Sequence, residues 1–239
     1  MHLSRINILA EMFPTREAYP FNLSVLQQTP EINLEYPVTF FVGENGTGKS
    51  TLLQAIADRC GIHRWQGFER TRSSFNVYED KLYRAINVTW TNDSVPGSYF
   101  CSQCFQEFAK LLDQWASNDQ GLLNYFGVQS LMTQSHGQVL MAFFKSRYER
   151  KGLYLLDEPE TALSPKSQLE LIKVITEVTR DCDAQFLVVT HSPILLACPN
   201  AMIYSLDKIP IQRISYEQTE YYQFYRAFMN NRDQFLEDL

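Results

Sequence analysis

The run Gly43-Glu44-Asn45-Gly46-Thr47-Gly48-Lys49-Ser50 satisfies G-x-x-x-x-G-K-[ST] at every fixed position, with Thr51 directly after it. Those residue types suit one kind of chemistry. Glycines let the main chain bend so that successive N–H groups point inward at phosphate oxygens, and a helix starting there adds its positive end. Lys49 is a compact charge on a flexible stem that can reach the β- and γ-phosphates of a nucleotide, and the Ser50 hydroxyl is a hard oxygen ligand for Mg2+. Further along, Leu153-Tyr154-Leu155-Leu156-Asp157-Glu158 ends an apolar run in two carboxylates. One acid is expected to hold the metal through a water and the other to position an attacking water, so Asp157 and Glu158 divide two roles that one group cannot fill.

Such groups must be brought together by a strand, a loop and a helix on one side and by a second strand end on the other. Pro37 to Val42 is a compact apolar run ended by glycine, which predicts a buried strand of the parallel kind. Leu52, Leu53, Ile56 and Ala57 then fall at helical spacing within Gly48 to Cys60. Further buried strands are expected at Leu153 to Leu156, Phe186 to Thr190 and Ala201 to Leu206, with shorter ones at His2 to Leu9 and Ala85 to Thr91. Helices are expected over Tyr99 to Ala116, over His136 to about Arg150, from Pro165 and from about Thr219. Alternating strands and helices predict one α/β domain with a mostly parallel sheet flanked by helices. We expect that single domain to span 1–239, with a mainly helical lobe inserted at about 61–150.

The composition narrows the class by exclusion. At 239 residues with 45% hydrophobic and 20% charged, the chain is too apolar to be disordered and long enough for a sizeable core. Its net charge of −6 argues against binding nucleic acid through bulk charge, although a local or dimer-built basic groove stays open. No uncharged apolar run approaches the ~20 residues of a membrane span. Met1-His2-Leu3-Ser4-Arg5 lacks a signal-like apolar region, and five cysteines form no regular ladder, so a cytoplasmic protein is expected.

Three further pieces carry a resemblance. Asp157-Glu158-Pro159-Glu160-Thr161-Ala162-Leu163 resembles the D-E-P-x-x-A-L run of ABC-type ATPases, Ser135-His136-Gly137-Gln138 resembles their S-G-G-Q signature core, and His191 after an apolar strand resembles their switch histidine. Over nearly the whole chain the closest likeness is to the small stand-alone predicted ATPases of the AAA/ABC-like group, relatives of RecF-type and chromosome-maintenance heads. Tyr19-Pro20-Phe21-Asn22, Phe40 through Asn45, Ser74-Phe75-Asn76-Val77, Gln134 through Gly137 and Thr190 through Leu196 carry it, and the tail from Tyr216 to Asn231 resembles that group too. That resemblance implies a P-loop NTPase fold, ATP with Mg2+ as cofactors, and catalysis by Glu158, His191 and Lys49. Mg2+ would be held by Ser50 and Asp157. It also implies two ATPs sandwiched in a head-to-tail homodimer, where Ser135 and Gly137 meet the γ-phosphate bound by the other subunit. The client would be a protein or nucleic acid, in a setting such as DNA repair or defence.

The chain departs from the pattern in places. His136 stands where glycine is usual, and Ser164 replaces the common aspartate after Ala-Leu. Gln66, or the run Arg70 to Asn76, is offered for the Q-loop; Phe13, Arg16 and Tyr19 are offered for stacking on adenine. Cys60, His63, Cys101 and Cys104 have zinc-like spacing, while both latter cysteines lie in an apolar pattern. Arg70, Arg72 and Arg84 read as a solvated face or the start of a polyanion patch. Tyr221, Tyr222, Phe224, Tyr225 and Phe228 read as an aromatic tail packed on the domain. Competing functions are the nucleotide-binding subunit of an ABC transporter, a small-molecule kinase, and an ATP-dependent adaptor that does not hydrolyse.

Overall fold

A computed structural model describes residues 1–64, 76–102, 136–148 and 150–237. Its main sheet has six strands: β3 (Val38–Val42), β5 (Gly97–Cys101), β6 (Gly152–Asp157), β7 (Ala184–Val189), β8 (Ala201–Ser205) and β9 (Gln212–Ile214). They lie in the order β5-β6-β7-β3-β8-β9, parallel except for β9 against β8. A smaller antiparallel sheet orders β2 (Glu31–Asn33), β1 (Leu3–Ile8) and β4 (Ile86–Trp90) as β2-β1-β4.

Continuous apolar runs form the central strands because both faces of the sheet are covered. Phe41, Leu153, Leu155, Leu187 and Val189 face one core, shared with the smaller sheet and helix α2 (Lys49–Arg59). Their neighbours Phe40, Tyr154, Leu156, Phe186 and Val188 face another. That second core is closed by α3 (His136–Tyr148), α4 (Pro165–Asp181) and the short α5 (Pro193–Leu196). The remaining helices are α1 (Ser24–Gln28), α6 (Glu220–Asn230) and α7 (Arg232–Leu236). Buried Gln185 joins the two sheets: its Nε2 donates to the Leu3 carbonyl at 2.8 Å, and its Oε1 accepts from the His2 and Leu3 amides at 2.9 and 2.7 Å.

α4 shows how the sequence selects its element. Ser164 caps it by accepting from the Ser167 amide at 3.2 Å, Pro165 fits the first turn, and Leu171, Val174, Ile175 and Val178 are buried. Each such side chain stabilises the fold by roughly 1.5–3 kcal/mol through burial.

One expectation changes. Tyr99 to Cys101 belong to β5, paired residue for residue with Leu155 to Asp157, and do not start a helix. The apolar residues Phe105, Phe108, Leu111, Leu112 and Trp115 fall at helical spacing in the sequence, and Tyr99 to Cys101 precede that pattern without sharing it; residues 103–135 lie outside the described residues. Within the stretch read as a helical lobe, the described residues supply β4 to the small sheet, β5 to the main sheet, and α3. No described helix is long and apolar enough to cross a membrane.

Candidate phosphate and metal site

The register of the parallel strands levels their carboxyl ends: Cys101 is opposite Asp157, Asp157 opposite Val189, and Val42 opposite Ser205. Ligands of open α/β sheets gather at that edge. Here it collects the loop after β3, the acids ending β6, His191 after β7 and Asp207 after β8.

Between β3 and α2, the loop turns on glycines. Gly46 and Gly48 have φ of 85° and 95°, a region that side-chain-bearing residues avoid. At Gly48 an added Cβ would also lie 2.6 Å from Leu23. Lys49 is buried, and its ammonium donates to the carbonyls of Gly43 and Glu44, both at 2.7 Å. Burial holds its pKa below the ordinary lysine value, against the opposing carboxylates of Glu158, Asp207 and Asp157. Thr47 Oγ1 donates to the Glu44 carbonyl at 2.9 Å, and the Glu44 amide donates to Asp207 at 2.8 Å. The side chains of Glu44 and Asn45 are exposed. Thr51 hydrogen-bonds the Tyr19 hydroxyl.

Ser50 Oγ donates to Asp157 Oδ1 at 2.9 Å, and the Tyr99 hydroxyl donates to Asp157 Oδ2 at 2.8 Å. Asp157 is buried, which pushes its carboxyl pKa up while those two hydroxyls pull it down. The next residue, Glu158, takes the left-handed conformation, φ 49° and ψ 54°. Its amide donates to the Val189 carbonyl at 2.9 Å and its carbonyl accepts from Ser102 Oγ. The backbone turn therefore separates the two carboxylates, Asp157 pointing to Ser50 and Glu158 lying with one oxygen 3.3 Å from His191 Nε2. Such strained backbone is a feature of functional sites.

His191 is fixed at three points. Its amide donates to Glu160 Oε1 at 2.6 Å, its Nε2 faces Glu158, and its Nδ1 hydrogen-bonds the hydroxyl of Tyr221 on α6. Burial, then the Lys49 charge, hold its ring below the ordinary imidazole value. Burial likewise raises the Glu160 carboxyl, against the hydrogen bond it accepts from the His191 amide.

The sequence-derived residues Lys49, Ser50, Asp157, Glu158 and His191 thus share one corner. Gly137 does not join them: it lies in the first turn of α3, where an added Cβ would sit 3.1 Å from the Ala162 carbonyl. Ser135, Gln66 and Arg70 to Phe75 lie outside the described residues. Asn76 donates to the Tyr19 carbonyl at 2.8 Å. Of the three stacking candidates, Phe13 packs on Phe21 with ring centroids 4.8 Å apart, and Arg16 and Tyr19 are exposed. Burial pushes the Cys60 thiol up to about 12, away from a metal-ready thiolate, and Cys104 lies outside the described residues. The aromatic tail is a correction in part: Phe224 and Tyr225 are exposed, while Tyr221 reaches the site. Sequence reasoning missed Tyr99, Ser102, Asp207 and the role of Tyr221. Only Asp207 carried a usable signal, as the first acid after a buried run ending at the same sheet edge.

Residues 99–196 match a family model described as an AAA ATPase domain, and residues 22–94 match one described as an AAA domain. Among curated proteins, the chain is 24% identical over 185 residues to the probable siderophore transport system ATP-binding protein YusV of Bacillus subtilis (strain 168). That alignment covers 70% of this chain and 67% of the relative. It is 27% identical over 187 residues to the thiamine import ATP-binding protein ThiQ of Histophilus somni (strain 129Pt), covering 71% and 86%. A solved ATP-binding cassette of an ABC transporter in its ADP conformation aligns at a TM-score of 0.49 and 15% identity, over 94% of this chain and 98% of that one.

Proposed function

We propose that this chain, a small P-loop ATPase domain of AAA/ABC type, binds ATP with Mg2+ across the Gly43–Thr51 loop and Asp157 and hydrolyses it with water positioned by Glu158. One observation carries the reading: the Ser50 hydroxyl and the Asp157 carboxylate meet at 2.9 Å beside a buried lysine. Two hard oxygens around a buried acid fit a magnesium ion by donor type, and the side-chain-free glycines fit a phosphate chain. Bound there, the ion would supply charge neutralisation to the phosphoryl oxygens.

The chain's own groups then divide the work. Lys49 exchanges its loop carbonyls for phosphate oxygens, and the loop amides line the same phosphates. Glu158, turned away from Asp157, orients and deprotonates water. His191 donates through Nε2 to the terminal phosphate. Tyr19, exposed beside Thr51, offers a face for adenine.

Gly137, together with Ser135, serves the nucleotide of a second copy in a head-to-tail homodimer, in keeping with its placement against Ala162 and not against its own loop. The ATP cycle acts on a protein or nucleic-acid client in the cytoplasm. The names of the relatives favour a second reading, the ATP-binding subunit of a transporter. Oligomeric state and phosphate release, measured for wild type and Glu158→Gln with and without DNA, test the first reading. Tight ATP binding with no turnover in wild type would instead identify a non-hydrolysing adaptor, and co-purification with an integral membrane protein would favour the transporter.

A further inference from the structure

Tyr221 comes from α6, beyond the last strand of the sheet, yet its hydroxyl reaches the centre of the candidate site. Its place in the first turn is fixed by Thr219, which is fully buried, donates to the Tyr216 carbonyl at 2.7 Å and accepts from the Tyr222 amide at 3.4 Å. The Tyr221 and His191 rings meet edge to face, with centroids 5.0 Å apart and planes at 88°. The same hydroxyl is also within donating reach of the Gly43 carbonyl oxygen at 3.2 Å, a more distant acceptor than Nδ1 and one that already takes the shorter bond from Lys49 at 2.7 Å.

The hydrogen-bond network assigns the protons. Nε2 of His191 faces the Glu158 carboxylate at 3.3 Å, so a neutral ring carries its single proton there. Nδ1 is then an acceptor, and its partner must donate. A phenol has one proton to give; the Gly43 carbonyl is served by the lysine, and Nδ1 is served by Tyr221 alone among the described residues. Donation from Tyr221 therefore holds the one tautomer whose outward nitrogen can donate to a phosphate oxygen.

We propose that Tyr221 is a positioning residue for triphosphate recognition: by donating to Nδ1 it keeps His191 as the Nε2–H donor aimed at a terminal phosphate, so the chain favours nucleoside triphosphate over diphosphate. This rests on the phosphate-site reading above and assigns the preference to a residue outside the phosphate loop, the acidic pair and the histidine turn. A diphosphate, which ends one phosphate short of the imidazole, is indifferent to Tyr221.

Tyr221→Phe keeps the ring contact and removes only the hydroxyl. Affinity for a non-hydrolysable ATP analogue is expected to fall about three- to tenfold, with ADP affinity unchanged to within about twofold. In a His191→Ala background the same substitution is expected to add nothing, because the effect passes through the imidazole. Without nucleotide, the 15N resonance of His191 Nδ1 is expected to move downfield in Tyr221→Phe, toward an imine nitrogen that accepts no hydrogen bond. Equal losses for ATP analogue and ADP, an undiminished effect in the His191→Ala background, or an unmoved Nδ1 resonance would each overturn the proposal. A wild type that binds neither nucleotide removes the phosphate-site reading and the proposal with it. The nucleotide-free resonance would still report whether Tyr221 holds the ring, which separates the two failures.

Discussion

The Ser50 hydroxyl donates to Oδ1 of Asp157 across 2.9 Å, joining residues 107 positions apart in the chain. The bond fastens the start of α2 to the end of β6 and leaves two hard oxygens side by side. Ser50→Ala removes one of the two proposed metal ligands and keeps the loop glycines and Lys49. ATP binding with Mg2+ should weaken by roughly tenfold, while binding in the presence of a chelator should change little. Calorimetric titration under both conditions checks this; equal weakening in both would show that Ser50 does not serve a metal.

Tyr99 donates to the other Asp157 oxygen at 2.8 Å. Tyr99→Phe leaves a buried carboxylate with one donor fewer, at a cost of about 1.5–3 kcal/mol for a hydrogen bond to a charged group. The melting temperature of the nucleotide-free protein should fall, and Mg2+ with ATP should recover part of the loss by supplying a new counter-charge. Thermal unfolding with and without the pair of ligands reads both effects, and an unchanged melting temperature would separate Tyr99 from Asp157.

The loop and the acid pair were legible in the sequence because their chemistry is local: Gly43 to Ser50 and Asp157-Glu158 are consecutive residues flanked by apolar runs that could only be buried strands. The central strands were legible for the same reason. Short strands such as Gln212–Ile214 and Glu31–Asn33 carry too few residues to show a period. Tyr99 was misplaced because it precedes an apolar helical spacing and looks like part of it. Tyr221 was illegible as a site residue, since an aromatic among aromatics signals packing, and its partner His191 is 30 positions away.

Glu158→Gln keeps size and hydrogen bonding but cannot take a proton. Phosphate release should drop by about a hundredfold or more, the usual scale for a lost general base. Nucleotide binding should persist, and the protein should accumulate as a dimer in ATP, seen by light scattering. Parental turnover in Glu158→Gln would assign the base elsewhere.

His191 gives a pH dependence with a definite sign. Its ring pKa is lowered in the folded state, chiefly by burial, so at mildly acidic pH the unfolded chain binds more protons than the folded one. The stability it contributes is present above the ordinary imidazole value of about 6.5 and is lost as pH falls through the folded value. Between about pH 7 and pH 5.5, His191→Gln should therefore lose less melting temperature than wild type. Parallel unfolding curves at both pH values check it, and identical losses in the two proteins would contradict the lowered pKa of the half-buried imidazole.

Lys49 lies at the centre of the site, buried in the loop with its ammonium on the Gly43 and Glu44 carbonyls. The most direct measurement is equilibrium binding of ATP with Mg2+ to wild type and to Lys49→Ala, both first shown to be folded. Wild type should saturate and Lys49→Ala should bind at least about a hundredfold more weakly, because a desolvated charge contact to phosphate is lost. Equal affinity in the two proteins, or no binding by wild type, would contradict the assignment of Gly43–Thr51 as the phosphate cradle.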